Sequence, residues 1–584
     1  MPTSTSFDLA IANARRYLEQ ETDQNYRAQT EELLSKAQSD SQTRDEIEAR
    51  FGGFLTFGTA GLRGKMEAGF RRMNQVTYSQ AAWALTQYLL FNTLNKDLNP
   101  KQNGVVIGFD ARLHSREFAE IVASILSAEQ IPVKIFLEPV PTPLCAFALT
   151  HQKACAGVVI TASHNPPGDN GFKVYWQSGA QINLPHTQNI AELIPQAPPF
   201  VQIKRLNIAD QEKLGLRQTI GADIFDAYFT ALTASRFHDN SETKAPLKIA
   251  YTPLHGVGGK FVLRGLKEAG FEDVNVVEQQ FKPDGNFPTV SFPNPEEDGT
   301  LDLAFALAKK IDADIILASD PDTDRLAVAF KSEKGLRSLS GNEIGWLLGE
   351  DALSFSKMNN KLALTTLVSS RMLSLIAARY NATICITSTG FSHIAQKALE
   401  REAEHNEHFV FGYEEALGYC IGSLVRDKDG VSAAVRFAEL AIFLRQQKSS
   451  IEEELQRLSL QYGLHESLQW SMRLDGPKAA DEMIKIMTDL RSENALSALF
   501  KKYPIKEKQD LLSQKNTEEK ADILIFFLHN GTRLIIRPSG TEYKIKFYLE
   551  GIGQASLASE LENTRTTLMD ELASIKQLIM SSFT

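Results

Sequence analysis

The sequence predicts an α/β protein built from several units, on three observations. Apolar strands alternate with amphipathic helices in three successive rounds, the signature of a parallel sheet with helices on its faces. At 584 residues the chain is too long for one core, and usual domain size implies about three to five units. From about residue 470 the pattern changes to strand, turn, strand and terminal helix, an α+β unit.

Composition narrows the function classes. A hydrophobic share of 43% and a charged share of 23% are those of a soluble globular enzyme. A net charge of −10 argues against a general nucleic-acid binder while leaving room for a basic pocket. No run reaches about 18 apolar residues, so no membrane span is expected. The opening, Met1 to Gln20, carries Asp8, Arg15, Arg16 and Glu19 and reads as an amphipathic helix, neither signal peptide nor anchor. Cys145, Cys155, Cys385 and Cys420 form no C-x-x-C pair, and a chain of this size needs no disulfide, so a reducing cytoplasm is expected.

In chain order, the glycine-dense stretch from Phe51 ends in Arg63 and Lys65, a backbone that turns tightly or approaches a ligand. Val105 to Phe109 is a strand, and D-A-R-L-H-S (Asp110 to Ser115) caps the helix that runs on to Ile125. A strand at Val133 to Phe136 precedes P-V-P-T-P, and the strand Gly157 to Ile160 delivers Ser163 at its carboxyl end, where ligands bind in such sheets. Ile194 to Gln218, with Pro195, Pro198 and Pro199, reads as a linker. The second round has strands at Lys248 to Tyr251, Val274 to Val277 and Asp314 to Leu317. Its Gly256, Gly258 and Gly259 lack dinucleotide spacing and start a helix. The third round has strands at Leu362 to Leu367 and Thr383 to Thr387. G-Y-E-E-A-L-G-Y, V-R-D-K-D-G and a helix through Leu444 follow.

Chemistry concentrates in a few loops. Ser163 sits in T-A-S-H-N-P-P-G-D-N-G-F-K, and a serine needs help to act as a nucleophile; His164 and Lys173 are the near candidates. Alone, that loop is an ordinary turn, and no G-x-S-x-G elbow points to acyl transfer. Asp320, Asp322 and Asp324, in D-P-D-T-D-R, can converge on one hard cation. An EF-hand fails, because Arg325 stands where glycine is needed and Lys331 where glutamate is needed. Mg²⁺ with one further oxygen, from a phosphoryl group on Ser163, fits the spacing better than calcium; a solvated acidic turn is the plain alternative. Arg537, Ser539, Gly540 and Thr541, with Lys544 near, suit a phosphate, or form a plain hairpin turn. No P-loop is present, so ATP is not the expected donor; a phosphate on the enzyme's own serine is.

T-A-S-H-N-P-P-G-D-N-G-F-K, D-P-D-T-D-R, G-Y-E-E-A-L-G and R-P-S-G-T-E, in this order, resemble the four signature loops of the α-D-phosphohexomutases. F-G-T-A-G-L-R-G resembles their N-terminal arginine loop, and the resemblance runs from Phe51 to the C-terminus. It implies three αβ mixed-sheet domains and a C-terminal α+β domain around a central cleft. These are 1–210 with the phosphoserine loop, 211–338 with the metal, 339–465 for sugar recognition and 466–584 for phosphate binding. It implies that Ser163 is the phosphoserine and that Mg²⁺ is held by its phosphate with Asp320, Asp322 and Asp324. Arg325 and Arg63 would flank the phosphoryl group, with His164 and Lys173 as candidates for proton transfer; as a base Lys173 has to be partly neutral, which the adjacent cations are expected to achieve by lowering its pKa. Thr389, Gly390, Glu414 and Glu415 would face the sugar. Arg537, Ser539, Gly540, Thr541 and Lys544 would hold the phosphate not being transferred, joined by Arg426 and Lys428.

Two residues depart from the pattern: Ala416, where many phosphoglucomutases and phosphomannomutases carry serine, and Phe391, in T-G-F-S where T-G-W-K is common. Y-E-E-A-L-G-Y with R-D-K-D-G is similar to the branch holding bacterial phosphoglucomutases, eukaryotic phosphoglucomutase/phosphopentomutase and glucose-1,6-bisphosphate synthase. The expected activity is therefore that of an isomerase of carbohydrate metabolism, a phosphoglucomutase interconverting glucose 1-phosphate and glucose 6-phosphate through glucose 1,6-bisphosphate. Phosphopentomutase, phosphomannomutase, the bisphosphate synthase and, remotely, a non-catalytic sugar-phosphate scaffold are the alternatives. Expected partners are small sugar phosphates, with no nucleic acid and no membrane, and the chain is expected to be a monomer or weak dimer.

Overall fold

A computed structural model describes residues 6–37, 40–58, 61–91, 99–238, 247–474, 479–513, 521–539 and 543–583. Four sheets follow one another along the chain. The first orders its strands Leu62–Lys65, Asp169–Trp176, Ala156–Ile160, Val105–Phe109, Val133–Phe136 and Arg217–Ile220. Asp169–Trp176 runs antiparallel to both neighbours, and the remaining pairings are parallel. Val105–Phe109 and Ala156–Ile160 are buried at every position, which is why both read as unbroken apolar runs rather than alternating ones.

The second sheet centres on Ile315–Ala318, flanked by the parallel Ile249–Thr252 and the antiparallel Ala327–Ser332. In the third, Lys361–Thr366 lies between Thr383–Thr387 and His408–Glu414, all parallel, with Gly418–Ile421 returning antiparallel. The fourth is wholly antiparallel, in the order Leu464–Arg473, Lys544–Gly553, Arg533–Pro538, Leu524–Leu528, Ile505–Asp510, and the helix Ala558–Met580 packs on it. Three mixed αβ sheets and an α+β unit are thus present as expected.

Two local readings need correction. The stretch 194–218 is more than a linker: it holds the helix Ile208–Lys213 and feeds Arg217–Ile220 onto the edge of the first sheet. A four-residue polar edge strand carries too little alternation to be seen. The helix Ser115–Ala128 takes no side-chain cap from Asp110, whose carboxylate turns inward to Ser115 Oγ (2.7 Å), Thr161 Oγ1 (2.6 Å) and the Arg112 N–H (3.0 Å).

One apolar core runs through the first three sheets, taking in Phe147, Phe229, Phe261, Leu347 and Phe437, while the fourth packs a separate core around Phe526, Leu534, Phe547 and Leu572. All four cysteines are free, and no described helix is long and apolar enough to cross a membrane.

Candidate active site

Ser163 leaves the strand Ala156–Ile160 with φ at 54°, a left-handed conformation uncommon for a residue with a side chain, and is 1% exposed. Backbone strain of this kind marks sites where the surroundings dictate geometry. Here its N–H donates to Thr161 Oγ1 (2.8 Å), and its hydroxyl donates to Asp320 Oδ2 (2.9 Å) and lies 3.1 Å from His164 Nδ1. A serine and an acidic turn 157 positions apart thus meet at hydrogen-bond distance.

Asp320, Asp322 and Asp324 are buried, and each offers an oxygen within 4.8 Å of the others. Lys173 Nζ donates to Asp322 Oδ2 (2.7 Å) and Asp324 Oδ2 (2.9 Å); Lys428 Nζ stands 3.4 Å from Asp324 Oδ2; Thr142 Oγ1 donates to Asp322 Oδ2 (2.8 Å). Asp322 Oδ1 and Asp324 Oδ1 are buried with no hydrogen-bond partner. Buried carboxylate oxygens without a donor are costly, and three crowded carboxylates with unused lone pairs fit a hard divalent cation.

Burial, then the charges of Asp322 and Asp324, push Asp320 well above the usual carboxylate range. For Asp324 burial is outweighed by Lys173, Lys428 and Arg325, and the carboxyl is held far below it. Burial, with Arg325 and Arg63 adding to it, holds the His164 imidazole well below its ordinary value, so it is neutral. Lys173 runs against expectation. Burial would lower it, but Asp322 and Asp324 prevail over both burial and the neighbouring cations, and the ammonium is kept charged. The idea that nearby cations make Lys173 partly neutral is therefore reversed here.

Arg63, on the strand Leu62–Lys65, donates to Asn165 Oδ1 (3.2 Å) beside the serine loop. Arg325 donates its main-chain N–H to Asp320 Oδ1 (3.1 Å) and its guanidinium Nη1 to Glu296 Oε2 (3.3 Å), while its backbone bridges to Gly418. Glu414 ends the strand His408–Glu414, raised by burial against the pull of Lys428 and Arg325. Glu415 Oε2 accepts from Ser369 Oγ (3.0 Å) and Thr366 Oγ1 (3.2 Å). Gly390, at φ 113°, precedes the helix Phe391–His405; Thr389 stands just before it, and Lys428 Nζ sits 5.5 Å from the Phe391 ring centre.

Arg426 is turned elsewhere, onto Glu402 (2.8 Å). Arg537 reaches Pro538 O and Tyr548 Oη, both at 3.4 Å, and burial followed by the charges of Glu415 and Glu296 pushes the Tyr548 phenol up to about 12 against Arg537. The Ser539 N–H donates to the Lys544 carbonyl (2.8 Å); Gly540 and Thr541 lie outside the described residues.

Sequence reasoning did not single out Arg112, Thr142, Glu296 or Asp427. Their only local signals were the D-A-R, P-V-P-T-P, P-N-P-E and R-D-K-D contexts, none of which names a partner.

Profiles of the Phosphoglucomutase/phosphomannomutase alpha/beta/alpha domains I, II and III match residues 55–198, 226–335 and 340–462, and that of the C-terminal domain matches 487–566. The Phosphopentomutase of Mus musculus is 37% identical over 564 residues, covering 91% of this chain and 90% of its own. The Glucose 1,6-bisphosphate synthase of Homo sapiens is 33% identical over 579 residues, covering 94% and 90%. Among solved structures, a phosphoglucomutase/phosphomannomutase family protein from Burkholderia thailandensis shares the fold, with a TM-score of 0.63 at 20% identity, over 90% of this chain and 97% of that one.

Proposed function

Because this chain belongs to the phosphoglucomutase/phosphomannomutase family, the α-D-phosphohexomutases, we propose that it is a phosphosugar mutase acting through phosphorylated Ser163, interconverting glucose 1-phosphate and glucose 6-phosphate. The observation that carries this reading is the 2.9 Å bond from Ser163 Oγ to Asp320 at the edge of three buried carboxylates. Mg²⁺ held by Asp320, Asp322 and Asp324 would neutralise charge on the phosphoryl oxygens.

In the forward half-reaction a bond forms between the free sugar hydroxyl oxygen and phosphorus as the Ser163 Oγ–P bond breaks; the hydroxyl gives up its proton and Ser163 Oγ takes one up, leaving glucose 1,6-bisphosphate and a free serine. The bisphosphate turns end for end, and its other phosphoryl returns to Ser163. Arg63, beside the serine loop, and Arg325, whose Nε lies 4.0 Å from Asp324 Oδ1, supply fixed positive charge beside the group in flight, the positioning and electrostatics on which phosphoryl transfer depends. Neutral His164, at 3.1 Å, is placed to exchange a proton with Ser163 Oγ, whereas Lys173 is held as a cation and acts electrostatically. Glu414 and Glu415 accept from sugar hydroxyls, with Thr389 and Gly390 at the rim. Arg537, Ser539, Gly540, Thr541, Lys544 and Lys428 grip the idle phosphate, which the reorientation requires.

A second reading, phosphopentomutase, draws support from the 37% identity to the mouse Phosphopentomutase. Comparing kcat/KM on glucose, mannose and ribose 1-phosphates assigns the sugar, and accumulation of glucose 1,6-bisphosphate from 1,3-bisphosphoglycerate would assign the synthase. For the mutase itself, Ser163→Ala is expected to lose at least about 10³-fold in turnover even with bisphosphate supplied. Full turnover in that variant would end the proposal.

A further inference from the structure

We propose that Arg112 is a positioning residue that sets the pose of the Ser163 loop, and that the segment Asp284 to Phe287 of the second unit locks it in place. Arg112 is 3% exposed, and its guanidinium is spent on main-chain carbonyls of one loop. Nη1 donates to Pro166 O (2.7 Å) and Asp169 O (3.1 Å), and Nη2 donates to Ser163 O (2.7 Å) and Asn165 O. Asp110 Oδ2 stands 3.3 Å from Arg112 Nε and also accepts from Thr161 Oγ1, the atom that receives the Ser163 N–H. Both main-chain polar groups of Ser163 are thereby tied to the Asp110–Arg112 pair. Left unheld, a residue with a side chain relaxes away from φ near 54°, and its hydroxyl swings off Asp320. Arg112 makes no hydrogen bond to the Ser163 hydroxyl or to Asp320, Asp322 and Asp324, so its hold on the serine runs through the loop backbone.

The second unit closes over this arrangement. A Cβ on Gly285 would stand 2.6 Å from Ala111 O and 2.7 Å from Leu113 N, so only glycine lets the two units approach this closely. The Phe287 ring centre lies 5.0 Å from Arg112 Cζ. The same segment continues to Phe292, whose ring centre is 6.3 Å from that of His164, and to Glu296 on Arg325. The register between serine and acidic loop is therefore set by a four-carbonyl clamp under one loop and a side-chain-free crossing above it.

The consequence for turnover rests on the mutase reading; the consequence for the loop does not. The test uses the full chain carrying Arg112→Met, Arg112→Lys or Gly285→Ala, with hydrogen exchange and steady-state kinetics measured on each. In Arg112→Met, amides of residues 162–169 are expected to exchange at least about tenfold faster while the strand Val105–Phe109 keeps wild-type protection. Its kcat is expected to fall about 100-fold with KM within about threefold, and Arg112→Lys, which cannot span four carbonyls, to recover no more than about a tenth of the loss. Should Arg112→Met fail to fold, Gly285→Ala decides: it is expected to loosen 162–169 with the first sheet intact. Wild-type exchange at 162–169 in whichever variants fold overturns the proposal. Wild-type kcat and KM in Arg112→Met overturn it as well. A wild-type chain without mutase turnover sinks the functional reading alone, because the exchange measurement still rules on the clamp.

Discussion

Where the first three sheets meet, apolar packing and polar locks are interleaved; where the fourth sheet joins, they are separate. At the first junction the R-D-K-D-G loop of the third unit ties it to both of the others. Asp427 accepts from Tyr175 Oη (2.7 Å), Lys428 reaches Asp324, and Asp429 accepts from Tyr228 Oη (2.7 Å) while capping the helix Gly430–Gln446. Gly430 donates to Thr323 O (3.1 Å), and a Cβ there would stand 2.5 Å from Arg325 O. The fourth sheet has its own core, a small shared patch around Leu367, Val368, Ile525 and Tyr548, and one carboxylate as its main polar anchor. Glu550 accepts from Ser370 Oγ (2.7 Å), Arg371 N (2.8 Å) and Arg371 Nε (2.7 Å), and bonds His465 Nδ1 (3.0 Å). On the proposed mutase reading the contrast separates two demands: chemistry needs atoms fixed within a shared core, whereas gripping a phosphate needs only a correctly presented loop.

If the first junction is the chemical centre, Asp324→Asn should be the most damaging change. It removes a charge that Lys173, Lys428 and Arg325 all face, and a loss of about 10³-fold in kcat is expected, together with loss of any Mg²⁺-induced rise in Tm. Near-normal kcat with KM alone raised would erase the distinction between the junctions. Arg537→Ala should sit about two orders of magnitude below: KM for the sugar phosphate rises about tenfold, near 1.4 kcal/mol, with kcat within about threefold. An equal fall in kcat would show the fourth unit taking part in the transition state.

Glu550→Gln is expected to leave kcat unchanged and raise KM by only about two- to fivefold, while costing about 3 kcal/mol in stability at pH 7 through the cations left facing a neutral amide. Burial raises Glu550, but His465, Arg533 and Arg371 outweigh it, and its carboxyl is held far below the ordinary 4.5. A depressed folded value stabilises fully above the unfolded one and fades as pH falls from there toward it. Denaturant titrations should therefore show the gap between wild type and Glu550→Gln constant from pH 7 to about 5.5 and shrinking below about 4.5. A gap that widens in acid would contradict the assignment of Glu550 as anchor.

Much of this protein was legible in one dimension because it depends on local rules. Strands such as Ala156–Ile160 showed as apolar runs, Gly258 and Gly259 as a helix start, and the hairpin between Arg533–Pro538 and Lys544–Gly553 as a turn between two strands. Ser163 and the three aspartates were recognisable as types of residue that chemistry requires, in loops built to present them. Their meeting, the clamp by Arg112 and the charge state of Lys173 were decided only in three dimensions. Each depends on a partner more than 50 positions away, and Coulomb and desolvation effects act on distance through space, to which separation along the chain is no guide. The same lysine that sequence context placed among lowering cations is, once folded, gripped by two carboxylates and kept charged.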